Sequence, residues 1–233
     1  RKAAGMITNL QQLGLPPDAF VICSIGYISR DKKWEDTGLA IVKASARVPG
    51  IAWIAGGRST SDRFERMKAW IEGRGVLCRR AVLYPRYLLP DDLDVVFGAS
   101  DMAVLNSGPT PFSTSGQLHL ALAYGMPIVA SRVPLYDDAD ACGRRFDGAV
   151  ELASVLSELG NKPDVVAAMR KRSQEVAAVT AWSRIAAMHD QLFRRVISNG
   201  EFAFAAEDDT GRVLDPALAM AVVGERPTAR VVE

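Results

Sequence analysis

Short apolar runs alternate with amphipathic stretches along most of the 233-residue chain. Residues 20–26 (FVICSIG, rich in β-branched side chains), 51–55, 102–105 and 127–130 are short apolar runs with Gly, Pro or Asn at their ends. Their length and composition predict buried strands. Residues 76–84 predict a further strand, interrupted by Arg79-Arg80. Between these runs the period changes to that of a helix. The 36–48 stretch places Leu39, Val42 and Ala46 on one face and stops at Pro49-Gly50. In 61–72 (SDRFERMKAWIE), Ser61 is the cap and Phe64, Met67 and Ile71 point inward. The 90–99 stretch opens on Pro90 with Asp91 and Asp92 in its first turn, where the helix dipole favours acids. A helix over 115–124 closes at Gly125, and 146–159, 163–179 and 182–197 are helical by period. Residues 1–20 read as a helix, a Gly-Leu-Pro-Pro turn and a strand entry.

Strands alternating with helices predict an α/β fold: a Rossmann-like parallel sheet with helices on both faces and right-handed crossovers. It is expected to occupy residues 1–198. Residues 199–233 lack a sustained period and are expected to form a loosely ordered C-terminal tail carrying one short helix at 216–222. Ligands of such sheets bind beyond the carboxyl ends of the strands, so the strand-to-helix loops 26–34, 56–61, 84–91 and 106–115 carry the candidate chemistry. The first brings Arg30, Lys32 and Lys33 beside Gly26, and the second holds Gly56-Gly57 and Arg58. In the last, Ser113, Thr114 and Ser115 precede Gly116 and Gln117 at a helix start. Cations, close backbone approach and a helix N-terminus are what a diphosphate needs. The blander readings are that the three hydroxyl residues only cap the helix and that 30–33 is a solvated turn.

Composition narrows the classes. Apolar residues make up 48% of the chain and charged residues 24%, as in ordinary globular proteins. Basic and acidic residues number 28 and 27, for a net charge of +1, which offers nothing to nucleic acid or an anionic surface. Cys23, Cys78 and Cys142 fit neither a disulfide framework nor a zinc site, and a reducing compartment follows by default. No metal site and no cofactor are expected, and the glycine pairs do not make the dinucleotide fingerprint of an NAD site. No apolar run is long enough to span a bilayer and no signal peptide is visible. The expected location is cytoplasmic, with any membrane contact peripheral and made by another domain. Arg1 is not an initiator Met, so the chain is expected to begin inside a longer protein.

The order of these pieces resembles the C-terminal, donor-binding half of retaining glycosyltransferases of the GT-B fold, the large family 4 group. The matching pieces are Gly26-Tyr27 through Lys32-Lys33, the strand ending at Gly56-Gly57, VLYPRYLLPDDLDVVFGASD at 82–101, Asn106-Ser107, ALAYGMPIVAS at 121–131 and the late helix AWSRIAAMHDQLFRRV. The resemblance spans about residues 18–198. It implies a nucleotide-diphosphate sugar, UDP- or GDP-linked, as donor substrate, with Arg86, Tyr87 and Leu88 beside the base, largely through backbone groups. It also implies an acceptor domain preceding Arg1 or supplied by a partner, so the isolated chain should bind donor and turn it over poorly.

Two departures stand out. The group's signature sets two Glu residues around the 115–124 helix. Counted back from Gly125, they fall on Phe112 and Leu120, and residues 102–136 contain no Asp or Glu at all. Gly26 is followed by Tyr27 where the group commonly has Arg. Lys32 is then the first candidate for the diphosphate cation, with Arg30 and Lys33 behind it. His119, beside Gln117 and Ser113, is the polar residue offered to a ribose, unless it is simply a packed or surface histidine. The expected function is hexosyl transfer with retention. The alternatives are a glycosyltransferase-like binding or regulatory module without catalysis and, more weakly, a nucleotide-sugar epimerase.

Overall fold

The computed structural model describes residues 2–59, 62–112 and 114–199. The described residues divide into two units between Ala181 and Trp182. The first carries a six-stranded parallel sheet in the order β3-β2-β1-β4-β5-β6. Its strands are β1 (Phe20–Ile25), β2 (Ile51–Gly56), β3 (Ala81–Tyr84), β4 (Met102–Leu105), β5 (Ile128–Ser131) and β6 (Arg144–Phe146). Its helices are α1 (Ala4–Gln12), α2 (Trp34–Ala44), α3 (Arg63–Glu72), α4 (Gly75–Cys78), α5 (Pro90–Ala99), α6 (Gly116–Ala123), α7 (Gly148–Gly160) and α8 (Pro163–Val179). A kinked 3-10 segment, Pro134–Ala141, joins β5 to β6. The second unit contributes α9 (Trp182–Asn199) among the described residues. The expected parallel α/β sheet is what the chain forms.

Alternation along the strands sorts the core into two layers. Ile22, Trp53, Met102, Val104 and Val129 pack with Ile41 of α2, Met67 of α3 and Leu156 of α7. Val21, Cys23, Ile54, Ala103 and Ile128 pack with Leu10 of α1, Val96 of α5 and Leu118 of α6. The strands are therefore apolar on both faces, and each fully buried Leu or Ile contributes about 1.5–3 kcal/mol relative to exposure. The Trp53 indole donates to the Ser24 hydroxyl at 3.2 Å, satisfying its buried N–H.

Several local expectations change. The buried residues of α2 are Trp34, Thr37, Gly38, Ala40, Ile41 and Ala44, while Leu39 is 37% exposed. The helix also starts before position 36 and ends at Ala44. Adding Trp34 rotates the apolar stripe onto a face that a reading begun at residue 36 cannot see. Residues 76–84 are not one strand: the Arg79-Arg80 step separates the short α4 from β3. The 146–159 helix is preceded by an unexpected edge strand, β6, with Arg144 exposed and Arg145 half-buried. The expected Ser61 cap lies outside the described residues, and Asp62 holds the cap position of α3. Residues 200–233, with the expected short helix at 216–222, also lie outside them.

Candidate functional site

The strand order reverses between β1 and β4, which pair in parallel at Ile22–Met102 and Cys23–Ala103. Connections leave these strands in opposite directions, so the loops at their carboxyl ends part and open a crevice. The loop after β1 and the loop after β4 are then stitched together. Lys32 and Ser107 form an isolated antiparallel bridge, Gly108 N–H donates to Asp31 O at 2.7 Å and Lys33 N–H to Asn106 O at 3.2 Å. The Asn106 amide returns to Lys33 O and to the Thr37 hydroxyl, each at 3.2 Å. Below them the Ser131 hydroxyl bonds Ser107 through both its N–H and its carbonyl, at 3.0 Å each.

Glycine is required where β1 and β2 end. Gly26 and Gly57 have φ of +146° and +152°, a region L side chains rarely enter. A side chain on Gly57 would collide with the Gly26 carbonyl, and one on Gly26 with the Gln117 amide. The backbone thus comes within reach of α6, whose start is capped by Ser115: its Oγ accepts the Leu118 N–H at 3.2 Å. Capping and a phosphate-attracting dipole coexist here, because one hydroxyl meets one of the several N–H groups that open a helix.

A cleft of ≈ 450 Å³ opens at this point, walled by Tyr27, Ser29, Asp31, Lys32, Phe112, Thr114, Ser115, Gly116, Gln117 and Leu135. Lys32 is recessed in it, its side chain only 13% exposed. Burial holds its pKa below the usual lysine value, partly opposed by Asp31, whose carboxylate stands 4.0 Å from Nζ. The Lys32 ammonium donates to the Tyr136 hydroxyl at 3.2 Å. Tyr136 in turn donates to Gln117 Oε1 at 3.5 Å, and Gln117 Nε2 donates to Ile25 O at 2.6 Å. Burial pushes the Tyr136 phenol pKa well up, so it stays protonated near neutral pH.

The structure therefore brings Gly26, Gly57, Lys32, Thr114, Ser115, Gly116 and Gln117 together. Ser113 lies outside the described residues. Lys33 is exposed and joins through its backbone. Arg30 is exposed and lines an adjoining hollow, which shares Ser29 and Lys32 with the cleft, together with Glu35, Arg63 and Arg66. Arg58 is likewise exposed, and its carbonyl accepts the Ile28 N–H at 3.0 Å. Arg86 forks onto Asp92 at 2.6 and 2.7 Å, and that carboxylate raises its pKa. Tyr87 is 70% exposed, whereas Leu88 is buried against the end of β2. His119 is not brought to the cleft wall: its Nε2 faces Asp138 at 3.6 Å, by the 3-10 segment. Of the two positions where a Glu pair would fall, Phe112 lines the cleft at 68% exposure and Leu120 packs on the core. Tyr136 is the residue that sequence reasoning missed. It comes from an unexpected 3-10 segment and no motif announces it.

Among the described residues no group of three or more His, Cys, Asp or Glu side chains is placed to hold a metal ion, and no helix is long and apolar enough to cross a membrane.

No family model matches the sequence, and no curated protein matches it significantly. Solved structures do resemble it. Sucrose-phosphate synthase from Thermosynechococcus elongatus superposes with a TM-score of 0.65 at 23% identity, over 82% of this chain and 49% of that one. HepE from Anabaena, solved in complex with UDP-glucose, gives 0.65 at 18% identity, over 85% and 54%. The C-terminal domain of the glycosyl transferase group 1 family protein LpcC from Francisella tularensis gives 0.64 at 14% identity, over 77% of this chain and 94% of that domain. The chain thus spans about half the length of the first two. At such identities the likeness is one of fold, and the chain is built as the Rossmann-like half of the GT-B architecture found in these glycosyltransferases.

Proposed function

We propose that the chain is the donor-binding half of a glycosyltransferase moving a hexose from a UDP- or GDP-linked donor to an acceptor, with retention at the anomeric carbon. The observation that carries this reading is the recessed Lys32 ammonium in the same cleft as the Ser115-capped start of α6. Glycosyl transfer leaves a diphosphate, and what must be stabilised is the negative charge growing on it as the sugar departs. A fixed cation and a helix dipole do so without reorganising. Gly26 and Gly57 let the backbone approach the ligand, and the loop after β3 supplies backbone groups beside the base. That HepE was solved with UDP-glucose supports the choice of donor class. The acceptor is assigned to a further domain or partner.

The test is calorimetry and thermal melting with UDP, GDP and UDP-glucose, with donor hydrolysis followed by mass spectrometry. Micromolar binding that rises in the order sugar-free to sugar-bearing nucleotide supports the reading, and no binding of any of them removes it. A second reading has its own observation: Phe112 and Leu120 stand where an acidic pair would, and residues 102–136 hold no carboxylate. It makes the chain a binding module without catalysis. Donor binding with no turnover once an acceptor-bearing domain is present would select it.

A further inference from the structure

Lys32 presents a problem of charge. A recessed ammonium needs hydrogen-bond partners, yet a carboxylate in contact would neutralise the charge an anionic ligand requires. Its carboxylate neighbour, Asp31, forms only a long ion pair with it, at 4.0 Å, and its hydrogen-bond partner is a neutral phenol. The order of donors along this chain of groups is fixed from its far end. The Ile25 carbonyl can only accept, so Gln117 presents Nε2 to it and turns Oε1 toward Tyr136. The phenol spends its proton on Oε1, and its oxygen is left as an acceptor that the charged form of Lys32 satisfies. An ammonium has three N–H groups. One goes to Tyr136, and the others are left for the cleft.

Tyr136 is itself held tightly. It is 0% exposed and sits where the 3-10 segment departs from helical geometry, at φ −120° and ψ 20°. Arg145 of β6 reaches across to clamp that kink. Its Nη1 donates to Tyr136 O and its Nη2 to Val133 O, both at 2.9 Å, and Nε donates to Ser131 O at 3.3 Å. The aromatic face also lies 5.6 Å from Lys32 Nζ, within reach of cation–π attraction.

Resting on the donor-site reading, we propose that Tyr136 is its positioning residue: locked by Gln117 and the Arg145 clamp, it holds the Lys32 ammonium charged and aimed at the donor's diphosphate, without neutralising it. The other charged or titratable groups around Lys32 are Asp31, Arg30, Lys33 and Glu35 from its own loop and the start of α2, Tyr27, and Arg63 and Arg66 of α3. None is changed in the test.

Tyr136→Phe keeps the core volume and removes the hydroxyl. In the 233-residue chain it should weaken UDP binding about tenfold by calorimetry, while in a Lys32→Ala background it should cost nothing further. The ε-ammonium of Lys32, assigned by NMR through its loss in Lys32→Ala, should titrate at lower pH in Tyr136→Phe, because the phenol oxygen stabilises the charged form more than the neutral amine. Gln117→Met, which frees the phenol, should move that titration the same way by less, and stands in if Tyr136→Phe does not fold. Equal losses in both backgrounds, or an unmoved Lys32 titration with UDP still bound, would overturn the inference and leave the donor reading intact. If the unmodified chain bound neither UDP nor inorganic pyrophosphate, the donor reading and this inference would fall together.

Discussion

Lys32 carries more of the proposed chemistry than any other side chain, and its environment predicts its behaviour. Replacing it with Ala should cost about 1.5–3 kcal/mol of UDP affinity, since a charge-assisted contact to phosphate is lost. Calorimetry checks this, and unchanged affinity would remove Lys32 from the site. The pH dependence follows from the lowered pKa. UDP affinity should decline on the alkaline side before an ordinary lysine loses its proton. The folded-state value lies below the unfolded one, so the burial cost of the charge is present in full at lower pH. It is relieved as pH rises between the two values, where the unfolded chain binds more protons. Binding and stability at this residue should thus move in opposite directions with pH, which parallel titrations of affinity and of urea midpoint would reveal. Gly57 gives a second residue-scale prediction. Gly57→Ala forces a side chain against the Gly26 carbonyl at φ +152°. It should cost about 1–3 kcal/mol in backbone strain alone, read as a lower urea midpoint.

At the scale of elements, the ends matter more than the middles. Ser115→Ala removes the acceptor for Leu118 N–H and should cost about 1 kcal/mol of stability. It should also loosen the start of α6, detectable as faster amide exchange at Leu118. Asp92 performs the corresponding task for α5, accepting Leu89 N–H at 2.8 Å while gripping Arg86. The guanidinium of Arg86, a residue the resemblance places beside the base largely through backbone groups, is thereby engaged by the start of α5. β6 works through one residue. Arg145→Met takes a donor from each of three carbonyls, of which Ser131 O and Val133 O keep a backbone N–H partner. It should cost about 1–3 kcal/mol and raise amide exchange across residues 133–136, which denaturant melts and exchange mass spectrometry can both follow. Strands β1, β2, β4 and β5 were legible because burial on both faces makes each a continuous apolar run. β6 was not, since a three-residue edge strand written Arg-Arg-Phe looks like a turn. α2 was legible as a helix but its inward face was not, because the stripe depends on Trp34, two residues before the expected start.

At the scale of the whole chain, the proposal makes a division of labour. The 233 residues should bind a UDP-sugar yet release free sugar only slowly. Transfer should appear when an acceptor-bearing domain is supplied in cis or in trans, as mass-spectrometric detection of a glycosylated acceptor would register. The candidate site was partly legible from sequence. Gly26, Gly57, Lys32 and Ser115 belong to loops, and Gln117 to the helix start, that any parallel sheet must bring to one edge. His119 sits on the same helix as Gln117 but faces Asp138, because an element fixes where a residue lies and packing fixes where its side chain points.

The amino-acid pattern alone determined the alternation of strand and helix, the parallel sheet and the edge on which a ligand would sit. Local apolar periodicity, turn chemistry and crossover handedness are short-range constraints that one chain carries in full. Only the tertiary structure decided what holds Lys32. Its phenol partner lies 104 residues away along the chain, in a kink pinned by an arginine of an edge strand, and contacts across such separations are set by packing rather than by any spacing a sequence displays.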